Sequence, residues 1–210
     1  MKVLKTGIFL LFVAIMNSTV FSQQLDTVKQ QPYQLKIKKQ RQQKDKQFAT
    51  TEHSPLTAGQ QVAFESLDYF PVDKTYKIKA QIEKSEDTTS FVIPTTTNRK
   101  PLYRKYGIAH FTLKGKKRSL VIYRSVSLMK KEKYKDYLFI PFTDLTNGVS
   151  TYGGGRYLDA RISGGDSLVI DFNKAYNPYC AYNGQYSCPI PPAENHLNLK
   201  INAGEKAFDH

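Results

Sequence analysis

From Tyr76 to Ile82 the chain alternates without a break, Tyr76, Ile78, Ala80 and Ile82 against Lys77, Lys79, Gln81 and Glu83. A period of two is the spacing of a strand with one buried and one wet face. Short apolar runs recur at 90–94, 108–113, 118–124, 138–142, 158–162, 168–172 and 197–201, with Gly, Pro and Asn between them. Strands this short and this evenly spaced leave little room for helices. The sequence therefore predicts an all-β fold, β-rich with short helices, built as an antiparallel sandwich or barrel. Leu120-Val121-Ile122-Tyr123 is apolar throughout, which suits a more central strand. Gly164-Gly165 predicts a hairpin turn between 158–162 and 168–172.

The N-terminus sets the expected compartment. Lys2 and Lys5 precede ten apolar residues, Gly7–Met16, and Val20 and Ser22 fit a small-residue cleavage rule if the cut precedes Gln23. This pattern predicts a secretory signal peptide over 1–22. Ten apolar residues are too few for a hydrocarbon core that needs roughly 20. The mature protein is then expected to be exported, periplasmic or secreted, with no transmembrane segment. Residues 23–50 read as a polar basic arm, Lys/Gln-rich from Tyr33 to Phe48, either an exposed helix or mobile. Residues 51–210 read as a single β-rich domain. Near its start, Thr57 is placed to cap a short helical turn through Gln60–Glu65.

The formal charge is +13, unevenly spread. Residues 99–135 hold thirteen basic side chains and one acid, whereas 136–210 hold five basic and eight acidic ones. A basic face suits an anionic envelope surface, or simply a solvated one. Export makes nucleic acid the poorest partner.

Two stretches stand apart from the strand-and-turn background. The first runs from Asp144 through Thr151-Tyr152-Gly153-Gly154-Gly155-Arg156 to Asp159. A glycine-rich loop exposes N–H groups that can hold an anion, and Arg156 follows it directly. No GK[ST] ending makes it a phosphate loop. The plainer alternative is a tight connection with Arg156 paired to Asp144 or Asp159. The second stretch is 171–195, where Asp171, Asn173, Asn177 and Asn195 offer oxygens and Tyr176, Tyr179, Tyr182 and Tyr186 offer aromatic walls. Such a set suits a small polar or sugar-like ligand, or serves to pin a long irregular loop. It calls for no cofactor. Cys180 and Cys188 enclose seven residues and, in an oxidising compartment, predict a disulfide. Free thiols and a metal site are the alternatives, and the four histidines are too dispersed to favour the metal.

Catalytic signatures are sparse. No G-x-S-x-G elbow, H-E-x-x-H or dinucleotide fingerprint occurs. A Cys–His pair would need reduced thiols with His110 or His196 as base. A carboxylate hydrolase would draw on Asp144, Asp159, Asp171 or Glu194, and no spacing selects two of them.

The strings GGRYLD (154–159), DFNKAYNPYCAY (171–182) and CPIPPAEN (188–195) resemble the signature of a bacterial domain-of-unknown-function family. The match extends over roughly 50–206, with SPLT at 54–57, YFPVD at 69–73 and AGEK at 203–206. The family name carries no activity. The resemblance implies that both cysteine positions are kept in members without export signals, which points to a use beyond a bond. It implies no catalytic role for His196. The leading expectation is an exported β domain that binds its ligand between loops 151–159 and 171–195. Arg156 would supply charge, Tyr152, Tyr176 and Tyr182 walls, and Asp171, Asn173 and Asn177 hydrogen bonds. The rivals are a carboxylate hydrolase on the same loops and an interaction module on an anionic surface.

Overall fold

A computed structural model describes residues 32–50, 52–162 and 164–208. The signal-peptide segment lies outside the described residues. Among the described residues, those up to Gln40 belong to one unit and those from Arg41 onward to a second, compact one. Residues 32–50 form helix α1.

The second unit is one eight-stranded sheet curled into a half-barrel. Its strands are β1 (Lys77–Lys84), β2 (Ser90–Val92), β3 (Leu102–Leu113), β4 (Lys116–Ser125), β5 (Tyr137–Asp144), β6 (Arg156–Arg161), β7 (Ser167–Asp171) and β8 (His196–Leu197). Their order is β6-β5-β4-β3-β1-β7, with β2 beside β3 and β8 beside β5. All pairings are antiparallel except β5 with β8. Helices are few and short: α2 (Ala58–Ala63) and α3 (Val126–Met129). The β-rich antiparallel class expected from period-two alternation is the class found.

The alternation decides which residues meet. Ala80 and Ile82, Phe111 and Leu113, Leu120 and Ile122, Leu138, Ile140 and Phe142, Leu158, and Leu168 and Ile170 pack into one main core. Their odd-even neighbours Val121, Tyr123, Phe139 and Tyr157 join Ile93 and Tyr103 in a second, aromatic core on the opposite face. The apolar run 120–123 is continuous because β4 is covered on both faces.

Three expectations are corrected. The Gly164-Gly165 hairpin does not form: β6 pairs β5, β7 pairs β1, and the two strands lie at opposite ends of the strand order. Both glycines do turn the chain, with φ of 76° and 70°. The turn leads from one edge of the curled sheet to the other instead of back along a neighbour. The closing strand is two residues long, not five, and parallel to β5. The 33–48 segment is helical but not simply exposed. Phe48 is buried and meets Tyr182 edge-on at 5.0 Å. Arg41 lies over the Tyr69 ring at 4.4 Å and donates to the Phe70 carbonyl at 2.9 Å. A helix that docks through cationic stems and one aromatic leaves almost no apolar periodicity to read.

The Thr57 cap forms as expected. Its hydroxyl accepts from the Gln60 N–H at 3.3 Å, and the Gln60 side chain accepts from the Thr57 N–H at 2.9 Å.

Candidate functional site

The residues singled out between 144 and 195 fall into a buried scaffold on one side and, on the other, the rim of the second aromatic core, where Tyr137 and Tyr176 are half-buried and Asp159 is exposed. Strand parity separates them. Arg156 and Leu158 point to the main-core side of β6, and Tyr157 and Asp159 to the other. Arg156 and Asp159 therefore cannot share a site, although three residues apart.

Arg156 is fully buried. Its Nη2 donates to Asp144 Oδ2 at 2.7 Å and to the Ile201 carbonyl at 2.9 Å. Its Nη1 donates to the carbonyls of Ala203 (2.5 Å) and Glu205 (3.1 Å). Burial pulls the guanidinium's pKa down, and the Asp144 carboxylate pushes it back. Asp144 Oδ1 also accepts from the N–H and hydroxyl of Thr146 at 2.7 and 2.5 Å. Of the two partners open for Arg156, the structure takes Asp144. The pair ties β5 and β6 to the C-terminal segment 201–205.

Glu205 is a second buried hub. Its Oε2 accepts from the Asn177 N–H at 2.7 Å and the Tyr182 hydroxyl at 2.6 Å, and its Oε1 pairs with Lys44. Asn177 donates onward to the Lys206 carbonyl at 2.7 Å. Asn173 is buried and bonds the backbone of Asp73 in both directions, at 2.9 and 2.7 Å. Asp171 caps the following turn through the Asn173 N–H at 3.2 Å.

Asn195 does a different job. β4 and β5 share a single paired position, Tyr123 with Phe139, and Pro141 has no N–H to extend the ladder. The Asn195 amide fills the gap. It accepts from the Val121 N–H at 2.7 Å and donates to the carbonyls of Val121 (2.9 Å) and Pro141 (2.7 Å). One side chain stands in for a missing stretch of β-ladder.

The glycine loop is a connection fitted to these strands. Of its three glycines only Gly155 has positive φ, 88°, and a Cβ there would lie 2.7 Å from the Phe142 carbonyl oxygen. Close approach of backbone to backbone is the reason for glycine at 155.

On the opposite face, Tyr123 (β4), Phe139 (β5) and Asp159 (β6) are successive cross-strand partners and form one row. Tyr103 stacks on Phe139 at 5.7 Å, Tyr157 meets Phe139 edge-on at 4.8 Å, and Tyr176 meets Tyr157 edge-on at 5.8 Å. The backbones of Tyr157 and Tyr176 exchange hydrogen bonds at 2.9 and 3.0 Å, which brings the second loop onto β6. At the open end, Asp159 Oδ1 accepts from Tyr137 (2.6 Å) and Tyr176 (2.7 Å). Tyr123 donates to Glu194 at 2.8 Å. Burial, then the adjacent carboxylate, raises the pKa of Tyr137 and of Tyr176, so both stay neutral donors. Asp159 and Glu194 are exposed.

Tyr152 stands apart from Asp159 and faces Cys180, its hydroxyl 3.8 Å from Sγ. Cys180 and Cys188 are free thiols. The Cys180 N–H donates to Cys188 Sγ at 3.1 Å. Neither proposed base is engaged with them: His110 bonds Glu83 at 3.1 Å and His196 bonds Thr143 at 3.0 Å. Among the described residues no group of three or more His, Cys, Asp and Glu is arranged to hold a metal. Among them, too, no helix is long and apolar enough to cross a membrane.

Sequence reasoning missed Tyr137 and Glu205. Tyr137 is legible only once β5 and β6 are in register. Glu205 stands inside AGEK with nothing local to show that it is buried.

The family model described as protein of unknown function (DUF1684) matches residues 62–206. The chain belongs to this family. The matched span of DUF1684 takes in every strand, both loops and Glu205. No curated protein matches. Among solved structures, the chain is similar to the solution NMR structure of the uncharacterized protein from gene locus rrnAC0354 of Haloarcula marismortui. The two are 32% identical over 85% of this chain and 96% of that one, with a TM-score of 0.64.

Proposed function

We propose that this DUF1684 domain binds a small polyhydroxylated or sugar-like ligand on the aromatic face around Asp159, where loops 151–159 and 171–195 meet. One observation carries the reading: Asp159 is an exposed carboxylate held by two tyrosine hydroxyls at the open end of an aromatic face. A carboxylate oxygen anchored from one side accepts ligand hydroxyls on the other. The flanking tyrosine rings provide surface against which a sugar ring can pack. Arg156, Asp171, Asn173, Asn177 and Asn195 support this site from within and make no ligand contact. The hydrolase alternative is weaker, because Asp144 and Asp171 are committed to Arg156 and to a turn. Export, which rests on the pattern of residues 1–22, would place the ligand in the periplasm or outside the cell.

The test is isothermal titration of the protein with a panel of neutral mono- and oligosaccharides. Saturable binding that Asp159→Asn or Tyr176→Phe weakens about tenfold or more supports the reading. Binding indifferent to both variants, or none across the panel, removes it.

A second reading rests on the β2–β3 edge. Val92 and Leu102 are paired there, each more than a third exposed, next in sequence to Arg99, Lys100, Arg104 and Lys105. Apolar and basic residues at one edge suit an anionic lipid surface. Binding to anionic vesicles should then fall steeply with salt.

A further inference from the structure

Cys180 and Cys188 are not equivalent. Cys188 is buried and pinned from two directions. Its N–H donates to Thr96 Oγ1 at 3.1 Å, its carbonyl accepts from the Thr96 N–H at 2.9 Å, and Arg99 holds the preceding Ser187 carbonyl at 2.8 Å. Cys180 sits on a single 3₁₀ turn, Tyr179–Ala181, and is half-buried. The Tyr152 hydroxyl lies 3.8 Å from its sulfur, and the Cys180 N–H donates to Cys188 Sγ at 3.1 Å. Between the two cysteines lies a loop that turns through Asn183 and Gly184, where a Cβ would meet nothing within 4 Å.

We propose that the two cysteines form a reversible thiol–disulfide exchange site for low-molecular-weight disulfides, with Cys180 the attacking thiolate and Cys188 the resolving thiol. This site is separate from the Asp159 face and does not depend on the ligand reading. The hydrogen bond from Cys188 pulls the Cys180 pKa down to about 6, against burial and helped by Tyr152 and Thr96. The same bond and burial push Cys188 up, so it keeps its proton. Tyr152 is pushed up to about 12 by burial and by Cys180, and stays a donor.

The chemistry closes without another reactant. The Cys180 thiolate attacks one sulfur of RS–SR, forming a mixed disulfide and releasing RS⁻. Cys188 gives its proton to that departing thiolate and attacks the Cys180 sulfur, which closes the internal disulfide and releases the second RS⁻, protonated by water. The protein dithiol loses two electrons, and RS–SR is reduced to two thiols. The observed contact of the Cys180 N–H with Cys188 Sγ shows that the second sulfur is already at hand. A buried thiol locked in place suits resolution, and a half-exposed thiolate suits attack.

The experiment treats reduced full-length protein with glutathione disulfide at pH 7 and follows intact mass. Wild type should lose two hydrogens without retaining glutathione. Cys188→Ser should stop at a stable mixed disulfide on Cys180, and Cys180→Ser should acquire no adduct on the same timescale. A second measurement needs no variant: iodoacetamide labelling of wild type at pH 6, located by peptide mapping. Thiolate fraction and lowered nucleophilicity together predict Cys180 labelling roughly tenfold faster than an ordinary thiol there. Retention of glutathione by the wild type, equal labelling of both cysteines, or an adduct on Cys188 in Cys180→Ser would overturn the assignment.

Discussion

Replacing Arg156 with Met keeps an unbranched apolar stem and removes the guanidinium, with its charge and four hydrogen bonds. Asp144 then stays buried, at 3% exposure, with no cation beside it. The carbonyls of Ile201, Ala203 and Glu205 lose a donor in the same stroke. Breaking one partner of a buried ion pair costs about 3–5 kcal/mol, a third or more of the stability of many domains. For a unit of this size that lowers Tm by roughly 10–15 °C. Chemical denaturation of wild type, Arg156→Met, Asp144→Asn and the double variant measures it. Asp144→Asn leaves an oxygen for Thr146 while removing the stranded charge, so the double variant should be about 1–2 kcal/mol more stable than the sum of singles requires. A loss below about 1 kcal/mol for Arg156→Met, or strict additivity, would refute the buried-scaffold role and return Arg156 to consideration as a ligand contact.

The other predictions test neighbouring parts of the scaffold. Asn195→Ala leaves the buried Val121 N–H unpaired and should cost about 2–4 kcal/mol, with amide exchange rising first in β4 and β5. Gly155→Ala forces a left-handed Cβ against the Phe142 carbonyl and should cost at least about 2 kcal/mol, whereas Gly153→Ala should stay within about 0.5 kcal/mol by thermal melting. Burial raises the Asp45 pKa above its ordinary value. A raised acid favours the fold below its unfolded pKa and loses that contribution as pH rises through the folded one. Asp45→Asn, which keeps an acceptor for the Leu67 N–H, should therefore stabilise at pH 7 and gain progressively less as pH falls toward 4; a gain that grows on acidification contradicts this.

Much of the fold was legible because burial here follows period two. Tyr76–Ile82, 120–123 and 138–142 all mark strands, and the doubly apolar run at 120–123 marks a strand with two covered faces. Strand pairing was less legible. Gly164-Gly165 has hairpin chemistry, yet sheet curl carries the chain to the far edge, and no local residue encodes that. The candidate site was half legible. Segments 151–159 and 171–195 stand out by composition, but Tyr, Asn and Asp suit a ligand and a pinned loop equally. Parity within β6 already separates Arg156 from Asp159, but only once the strand is known to begin at Arg156. Which polar residues are buried depends on partners 45–49 residues away, at Ile201, Ala203 and Glu205. That information is tertiary.

The central claim is that the two loops divide into an internal scaffold and one aromatic ligand face. Selective tyrosine ring labelling of the protein, titrated with the saccharide panel and followed by NMR, reads both parts at once. The account predicts saturable shifts at Tyr137 and Tyr176, with Tyr182, bonded to Glu205 inside the scaffold, unmoved. Saturable shifts at Tyr182 with Tyr137 and Tyr176 silent would contradict it.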